Sequence, residues 1–85
     1  MRINYYAAAA AAAGTTAETI DAGGLTLGAL KAHLAAAHPP LPDQPRLDDV
    51  LAKSSFLLDG VAGRDDARSL DGVGALDVLP PFAGG

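Results

Sequence analysis

The feature of this sequence that points most clearly to chemistry is its final pair of residues, Gly84-Gly85. Glycine has no Cβ, so two terminal glycines can enter a narrow slot and lie against the backbone of another protein. The group delivered there would be the α-carboxylate of Gly85, which is ionised at neutral pH and is a poor electrophile. An acyl-adenylate would make that carbon reactive, and sulfur could then replace an oxygen to form a thiocarboxylate. The alternative is a frayed chain end without a role.

The histidines and serines of the sequence do not form a recognisable site. His33 and His38 are five positions apart, which is about 140° around a helix, so they do not share a face. We expect both to be solvated helix residues rather than a metal-binding pair. Ser54-Ser55 has no evident base partner, which argues against a serine nucleophile.

Two pairs of neighbouring aspartates could suggest a metal site. Asp48-Asp49 and Asp65-Asp66 lack the regular ligand spacing of a calcium loop. The first pair suits the N-terminus of a helix, where the helix dipole favours negative charge, and the second suits a turn. We therefore expect no metal ion and no stably bound cofactor.

The composition excludes several classes of protein. The chain has 85 residues, no cysteine and a formal net charge of −4. This length is enough for one small domain. The absence of cysteine excludes disulfides, a thiolate nucleophile and a zinc–thiolate site. The acidic charge argues against a nucleic-acid partner, and no segment approaches the ~20 apolar residues of a transmembrane helix.

The first part of the sequence alternates between strand and helix patterns. Met1–Tyr6 has the period of a strand, and Ala7–Ala13 predicts a short helix that Gly14 ends in the left-handed conformation. Thr15–Asp21 is rich in β-branched residues and predicts a second strand that pairs with the first.

A signal peptide is the alternative interpretation of the N-terminal region, because Arg2 precedes an apolar run of small residues. Only one basic residue is present, and Asn4 and two tyrosines interrupt the run. We therefore favour a strand followed by a helix, and we expect a cytoplasmic protein.

The main helix is predicted to begin after Thr26, a suitable N-cap, and to continue to about His38, where Pro39-Pro40 ends it. Its apolar stripe consists of Leu27, Leu30 and Leu34. The proline-rich segment Pro39–Arg46 predicts an irregular connection.

The second half of the sequence predicts a short helix and then strands. Apolar spacing places the helix at Leu47, Val50 and Leu51. Asp59-Gly60 suits a type I′ turn between two strands of a hairpin, Phe56–Leu58 and Val61–Ala62. Polar turns are expected over Gly63–Gly74, and a last strand over Leu76–Leu79 ends at Pro80-Pro81. The order predicts an α+β domain in which a mixed sheet of about five strands packs against one main helix.

Both ends of the chain carry a family resemblance. The opening Tyr5-Tyr6-Ala7, with its alanine-rich helix and Gly14, is similar to the opening of the ubiquitin-like sulfur carriers of the MoaD/ThiS family. The ending Leu76–Gly85, a strand followed by the pattern PP-x-x-GG, resembles most closely that of the small subunit of molybdopterin synthase, MoaD. The resemblance implies the β-grasp fold, with a domain over 1–79 and a flexible, extended tail over 80–85.

The resemblance also implies a function and partners. A MoeB/ThiF-like enzyme would adenylate Gly85 with ATP and Mg²⁺, and a sulfurtransferase would supply the sulfur. The thiocarboxylated tail would enter a MoaE-like large subunit, within a heterotetramer, and donate sulfur to precursor Z in molybdenum cofactor synthesis. Gly84 would give access to the slot. The residues that would hold the tail extended are Pro80, Pro81, Phe82 and Ala83.

The sequence departs from the family pattern at three places. The short helix has alanines where relatives often carry Arg and Glu, Val73-Gly74 replaces a common acidic residue, and Asp59-Gly60 replaces the frequent Asn-Gly. These changes affect which partner surface is expected, and they leave the terminus intact. The alternatives are a sulfur carrier for cysteine or thiamine thiazole synthesis, a protein modifier joined to lysines through Gly85, and a plain binding module.

Overall fold

A computed structural model of the chain describes residues 1–81. These residues form five strands and three helices, in the predicted order. The strands are β1 (Arg2–Tyr5), β2 (Ala17–Thr19), β3 (Ser55–Leu58), β4 (Val61–Gly63) and β5 (Ala75–Leu79). The helices are α1 (Ala8–Ala13), α2 (Leu27–Ala37) and α3 (Leu47–Lys53).

The five strands form one mixed sheet in the order β2-β1-β5-β3-β4. Strand β5 lies at the centre, parallel to β1 on one side and antiparallel to β3 on the other. The remaining pairs, β1 with β2 and β3 with β4, are antiparallel. The predicted mixed sheet is confirmed, and its central strand is the last one in the sequence.

One face of the sheet is packed against the helices. The strand period of two places the apolar side chains of the central strands on that face. The buried residues there are Ile3, Tyr5, Phe56, Leu58, Leu76 and Val78. They form a single core with the predicted leucine stripe of α2, whose Leu27, Leu30 and Leu34 are all buried.

The helical layer is larger than the single main helix that the sequence predicts. Helix α3 buries the residues Leu47, Val50 and Leu51. Helix α1 buries Ala9, Ala12 and Ala13. An alanine face carries little apolar area, but it lets a helix approach its neighbours closely, so α1 contributes to the core without large side chains.

The predicted caps and turns are present. The Thr26 hydroxyl accepts a hydrogen bond from the Ala29 N–H at 3.2 Å and so caps α2. Gly14 ends α1 with φ 73°. Asp59 and Gly60 both have positive φ, 49° and 83°, as a type I′ turn requires.

The segment Gly63–Gly74 contains a strand residue and a core residue in addition to the predicted polar turns. Gly63 belongs to β4. Leu70 is buried in the core, and its N–H donates to the carbonyl oxygen of Leu25 at 3.0 Å. A single leucine in a polar stretch has no periodicity, so the sequence gives no sign that it is buried.

None of the helices that the structure describes in residues 1–81 has the length and apolar character needed to cross a membrane.

Candidate functional site

The chain reaches Pro80-Pro81 from the central strand of the sheet. Val78 pairs with Tyr5 on one side of β5, and Leu79 pairs with Ser55 on the other. The ladder then stops at Pro80, which has no N–H to donate. Pro80 is half-buried and Pro81 is exposed. The C-terminal segment therefore starts from a backbone that is hydrogen-bonded on both sides.

Four of the predicted site residues, Phe82, Ala83, Gly84 and Gly85, lie outside the described residues. Their roles stay predictions. Of the predicted set, the structure locates Pro80 and Pro81, at the place where the chain emerges from the sheet.

A groove lies beside this exit. Strands β5 and β1 are parallel, so they end on the same side of the sheet. The chain therefore leaves β5 on the side where β1 is followed by α1. The groove has a volume of about 320 Å³ and is bounded by parts of α1, α3 and the prolines. Its lining residues are Ala8, Pro45, Arg46, Asp49, Val50, Lys53, Pro80 and Pro81. Sequence reasoning did not predict the groove, because its walls come from three separated segments.

The charged side chains of the groove differ in how they are paired. Arg46 donates from Nε and Nη2 to the two carboxylate oxygens of Asp48, at 3.2 and 3.1 Å. This bond raises the pKa of Arg46 and lowers the pKa of Asp48. Within residues 1–81, Lys53 forms no ion pair. The amine of Lys53 is therefore available to a negatively charged group that comes from outside these residues.

A second polar cluster joins β2 to the end of α2. The Tyr5 hydroxyl donates to the Glu18 carboxylate at 2.8 Å, and His38 Nε2 lies 2.5 Å from the same oxygen. Burial, followed by the bond to Glu18, raises the pKa of Tyr5 well above its ordinary value. The prediction that His38 is solvated is wrong: its side chain is only 17% exposed. Glu18 is twenty positions away, so no local pattern could predict the contact.

The remaining candidates have structural roles. Asp48 and Asp49 lie in the first turn of α3, as predicted. Asp65 accepts a hydrogen bond from the Ala67 N–H at 2.9 Å, which confirms the predicted turn, and Asp66 pairs with Lys31 at 2.7 Å.

The Ser54 hydroxyl donates to a backbone carbonyl, that of Val50, at 2.7 Å. Among residues 1–81 the structure brings together no cluster of three or more side chains of the types that bind metal ions.

Comparison with known proteins identifies the fold. No family model and no curated protein matches the chain. Among solved structures, a crystal structure of SAMP1 from Haloferax volcanii matches with a TM-score of 0.72. The alignment covers 99% of this chain and 97% of that one, at 24% sequence identity. The protein has the ubiquitin-like β-grasp fold. The predicted fold class is thereby confirmed, and at this identity the likeness extends to the fold alone.

Proposed function

We propose that this β-grasp protein is a carrier that works through the α-carboxylate of Gly85. The observation that carries the proposal is the position of β5 in the sheet. The strand that leads to the terminal glycines is the central one, and it ends at Leu79, directly before the half-buried Pro80 and the exposed Pro81. The six residues of segment 80–85 thus start from a rigid base, which limits the entropy lost when a partner takes them up.

The chemistry begins at the carboxylate. An oxygen of Gly85 attacks the α-phosphorus of ATP and pyrophosphate leaves, which yields an acyl-adenylate. A hydrosulfide equivalent then adds to the carbonyl carbon and AMP leaves, so a C–S bond replaces a C–O bond. ATP and Mg²⁺ would bind to a MoeB/ThiF-like activating enzyme, and a sulfurtransferase would supply the sulfur.

The chain itself would contribute shape rather than acid–base groups. Gly84 would let the terminus pass through a slot that excludes a Cβ. Segment 80–83 would keep the terminus extended, because proline restricts φ and has few conformations to lose. Within residues 1–81, three of the candidate side chains have structural contacts: Ser54 donates to a backbone carbonyl, Asp65 accepts within a turn, and Asp66 pairs with Lys31.

The finer proposal is that the protein is the small subunit of molybdopterin synthase. The thiocarboxylate would enter a MoaE-like large subunit, in a heterotetramer, and transfer its sulfur to precursor Z to build the dithiolene. The ending PP-x-x-GG after the last strand supports this assignment. Carriers for cysteine or thiazole synthesis would use the same activated terminus with a different acceptor.

A protein modifier is the second candidate. The acyl-adenylate of Gly85 can pass to a lysine ε-amine as well as to sulfur, which would release AMP and form an isopeptide bond. The β-grasp fold, matched over nearly the whole length of the chain, supports a modifier as well as a sulfur carrier.

Mass spectrometry of the protein from its native host tests the proposal. A sulfur carrier gains the mass of one sulfur-for-oxygen exchange, located at Gly85. A modifier leaves a remnant of its own C-terminus on lysines of other proteins. After trypsin digestion that remnant is Ser69–Gly85, because Arg68 is the last basic residue of the chain. Incubation with the activating enzyme and ATP should release pyrophosphate, and the chain without Gly85 is the control. A native protein that continues beyond Gly85, or one that neither charges nor conjugates, would overturn the proposal.

A further inference from the structure

We propose that segment 82–85 docks into the groove beside Pro80-Pro81, with the carboxylate of Gly85 against the amine of Lys53. This parked position would shield the terminus until a partner withdraws it. The inference rests on the proposed function in one respect, because it requires a free carboxylate at Gly85.

The groove adjoins the point from which the segment starts. Pro80 and Pro81 are themselves part of its wall, and Pro81 is the residue to which segment 82–85 is joined. The volume of about 320 Å³ lies within the range of clefts that hold small ligands. Ala8 and Val50 give the groove apolar surface of the kind that Phe82, the first residue of the segment, would bury.

The negative charge of the Gly85 carboxylate requires a positively charged partner, and Lys53 is the suitable lysine. The chain contains two lysines. Lys31 is already paired with Asp66 at 2.7 Å and lies 5.0 Å from the centre of the Phe56 ring. Lys53 lines the groove and forms no ion pair within residues 1–81, so it is the lysine that can donate to the terminal carboxylate.

The length of the segment agrees with this contact. Four residues span at most about 14 Å when they are extended. Lys53 and Pro81 belong to the same small groove, so the carboxylate can reach the amine without leaving it. Asp49 is also in the wall, one helical turn before Lys53, and it competes with Gly85 for that amine.

Segment 82–85 would dissociate readily from the groove. An ion pair at a protein surface shifts a population by roughly one- to fivefold, which is small beside the affinity of a partner that binds the whole segment. An activating enzyme could therefore take the terminus without a large penalty, while the unbound terminus would be less open to proteolysis.

Carbodiimide cross-linking of the dilute, full-length monomer tests the proposal, because it joins a carboxylate to an amine that contacts it. We expect an intramolecular amide between Gly85 and Lys53, identified by peptide mapping. The Lys31–Asp66 amide is the internal positive control for the reaction.

Lys53→Arg, which keeps the charge but lacks a reactive amine, should abolish the Gly85 product. Asp49→Asn should raise its yield about twofold by removing the competing carboxylate.

Two other amines serve as controls for non-specific cross-linking to Gly85. They are the N-terminus, which donates to the Ile20 carbonyl at 2.8 Å, and a lysine introduced by Arg64→Lys at the exposed end of β4. The proposal is overturned if Gly85 reacts equally with these amines. It is also overturned if Gly85 reacts only between two copies, or not at all while Lys31–Asp66 forms. The assay contains neither ATP nor a partner, so its failure is distinguishable from failure to carry sulfur.

Discussion

Asp59 binds the backbone of Gly74, so the turn of the β3–β4 hairpin is tied to the start of the central strand. The two carboxylate oxygens of Asp59 accept from the Gly74 N–H at 3.0 and 3.1 Å, and one also accepts from the Ala75 N–H at 2.9 Å. The Asp59 N–H in turn donates to the Ala75 carbonyl at 2.9 Å. One residue therefore forms the turn and fixes β5, the strand that leads to the terminus.

Two substitutions of Asp59 distinguish its role in the turn from its role in holding the start of β5. Asp59→Gly keeps a backbone that tolerates positive φ but removes the acceptors, so we expect a loss of about 1–2 kcal/mol in the free energy of unfolding. Asp59→Asn keeps one acceptor oxygen and should cost less than about 1 kcal/mol. Denaturant unfolding measures both values. If Asp59→Gly is as stable as the natural chain, the carboxylate does not hold β5.

Gly60 isolates the cost of backbone strain at the same turn. Its φ is 83°, and a Cβ added there would meet no atom within 4 Å. Gly60→Val should therefore lower the free energy of unfolding by about 1–3 kcal/mol through strain alone. Gly60→Asn should cost less, because asparagine adopts this conformation more readily. Thermal or denaturant unfolding gives the comparison, and a neutral Gly60→Val would contradict the turn conformation.

The local elements of the fold could be predicted from the sequence because each has a local signal. Thr26 marks the start of α2, the leucines at 27, 30 and 34 mark its buried face, and Asp59-Gly60 marks the hairpin. The contacts that lack such a signal were missed. The backbone of Leu70 is hydrogen-bonded to Leu25, 45 residues earlier, and His38 contacts Glu18 on a separate strand.

The candidate site was predictable to a different extent. The position of Pro80-Pro81 follows from the end of a strand pattern, since proline cannot continue the ladder. The groove beside them depends on the docking of α1 against α3, two helices that are more than thirty residues apart in the sequence. No local sequence pattern indicates a contact between segments so far apart.

The Tyr5 phenol makes the stability of the fold dependent on alkaline pH. Its pKa is raised in the folded state by burial and by the bond to Glu18, whereas an unfolded tyrosine ionises near pH 10. Above about pH 10 the unfolded chain releases a proton that the folded chain retains, so the free energy of unfolding falls as the pH rises.

Absorbance of the phenolate measures this effect in Tyr6→Phe, where Tyr5 is the remaining tyrosine. We expect the phenolate to appear together with loss of the circular dichroism of the folded state. Reversible ionisation with an unchanged spectrum would show that the phenol is not buried against Glu18. Tyr5→Phe provides the control, since it removes this contribution of residue 5 to the pH dependence.

Phe82 is predicted to anchor the partner that receives the terminus. Phe82→Ala should weaken that complex by about 1–3 kcal/mol, the range typical of aromatic anchors, while the folding of residues 1–79 is unchanged. Val61→Ala, which shortens a 64% exposed side chain on β4, is the matched control and should leave binding unchanged. Calorimetry measures the affinity, and unfolding measures stability. An equal loss of both in Phe82→Ala would instead make Phe82 a core residue.

The length of the terminus should decide whether it works. Segment 80–85 reaches about 20 Å when extended, long enough to cross the rim of a partner and present only the final carboxylate inside. Deletion of Gly85 withdraws that carboxylate by one residue, and an added alanine brings a Cβ into a slot that glycine fits. Both changes should abolish adenylation or sulfur transfer, because the reaction needs the carbonyl carbon at one depth.

The measurement for both length variants is thiocarboxylate formation with the activating enzyme, ATP and a sulfur donor, followed by intact mass. Unfolding curves should coincide with those of the natural chain, since the ladder of β5 ends at Leu79, before the altered residues. Lys53→Gln is the matched control, because it changes the wall of the groove and leaves the terminus intact. If both length variants form the thiocarboxylate and donate sulfur as well as the natural chain does, the α-carboxylate of Gly85 is not the reacting group and the proposed carrier function is wrong.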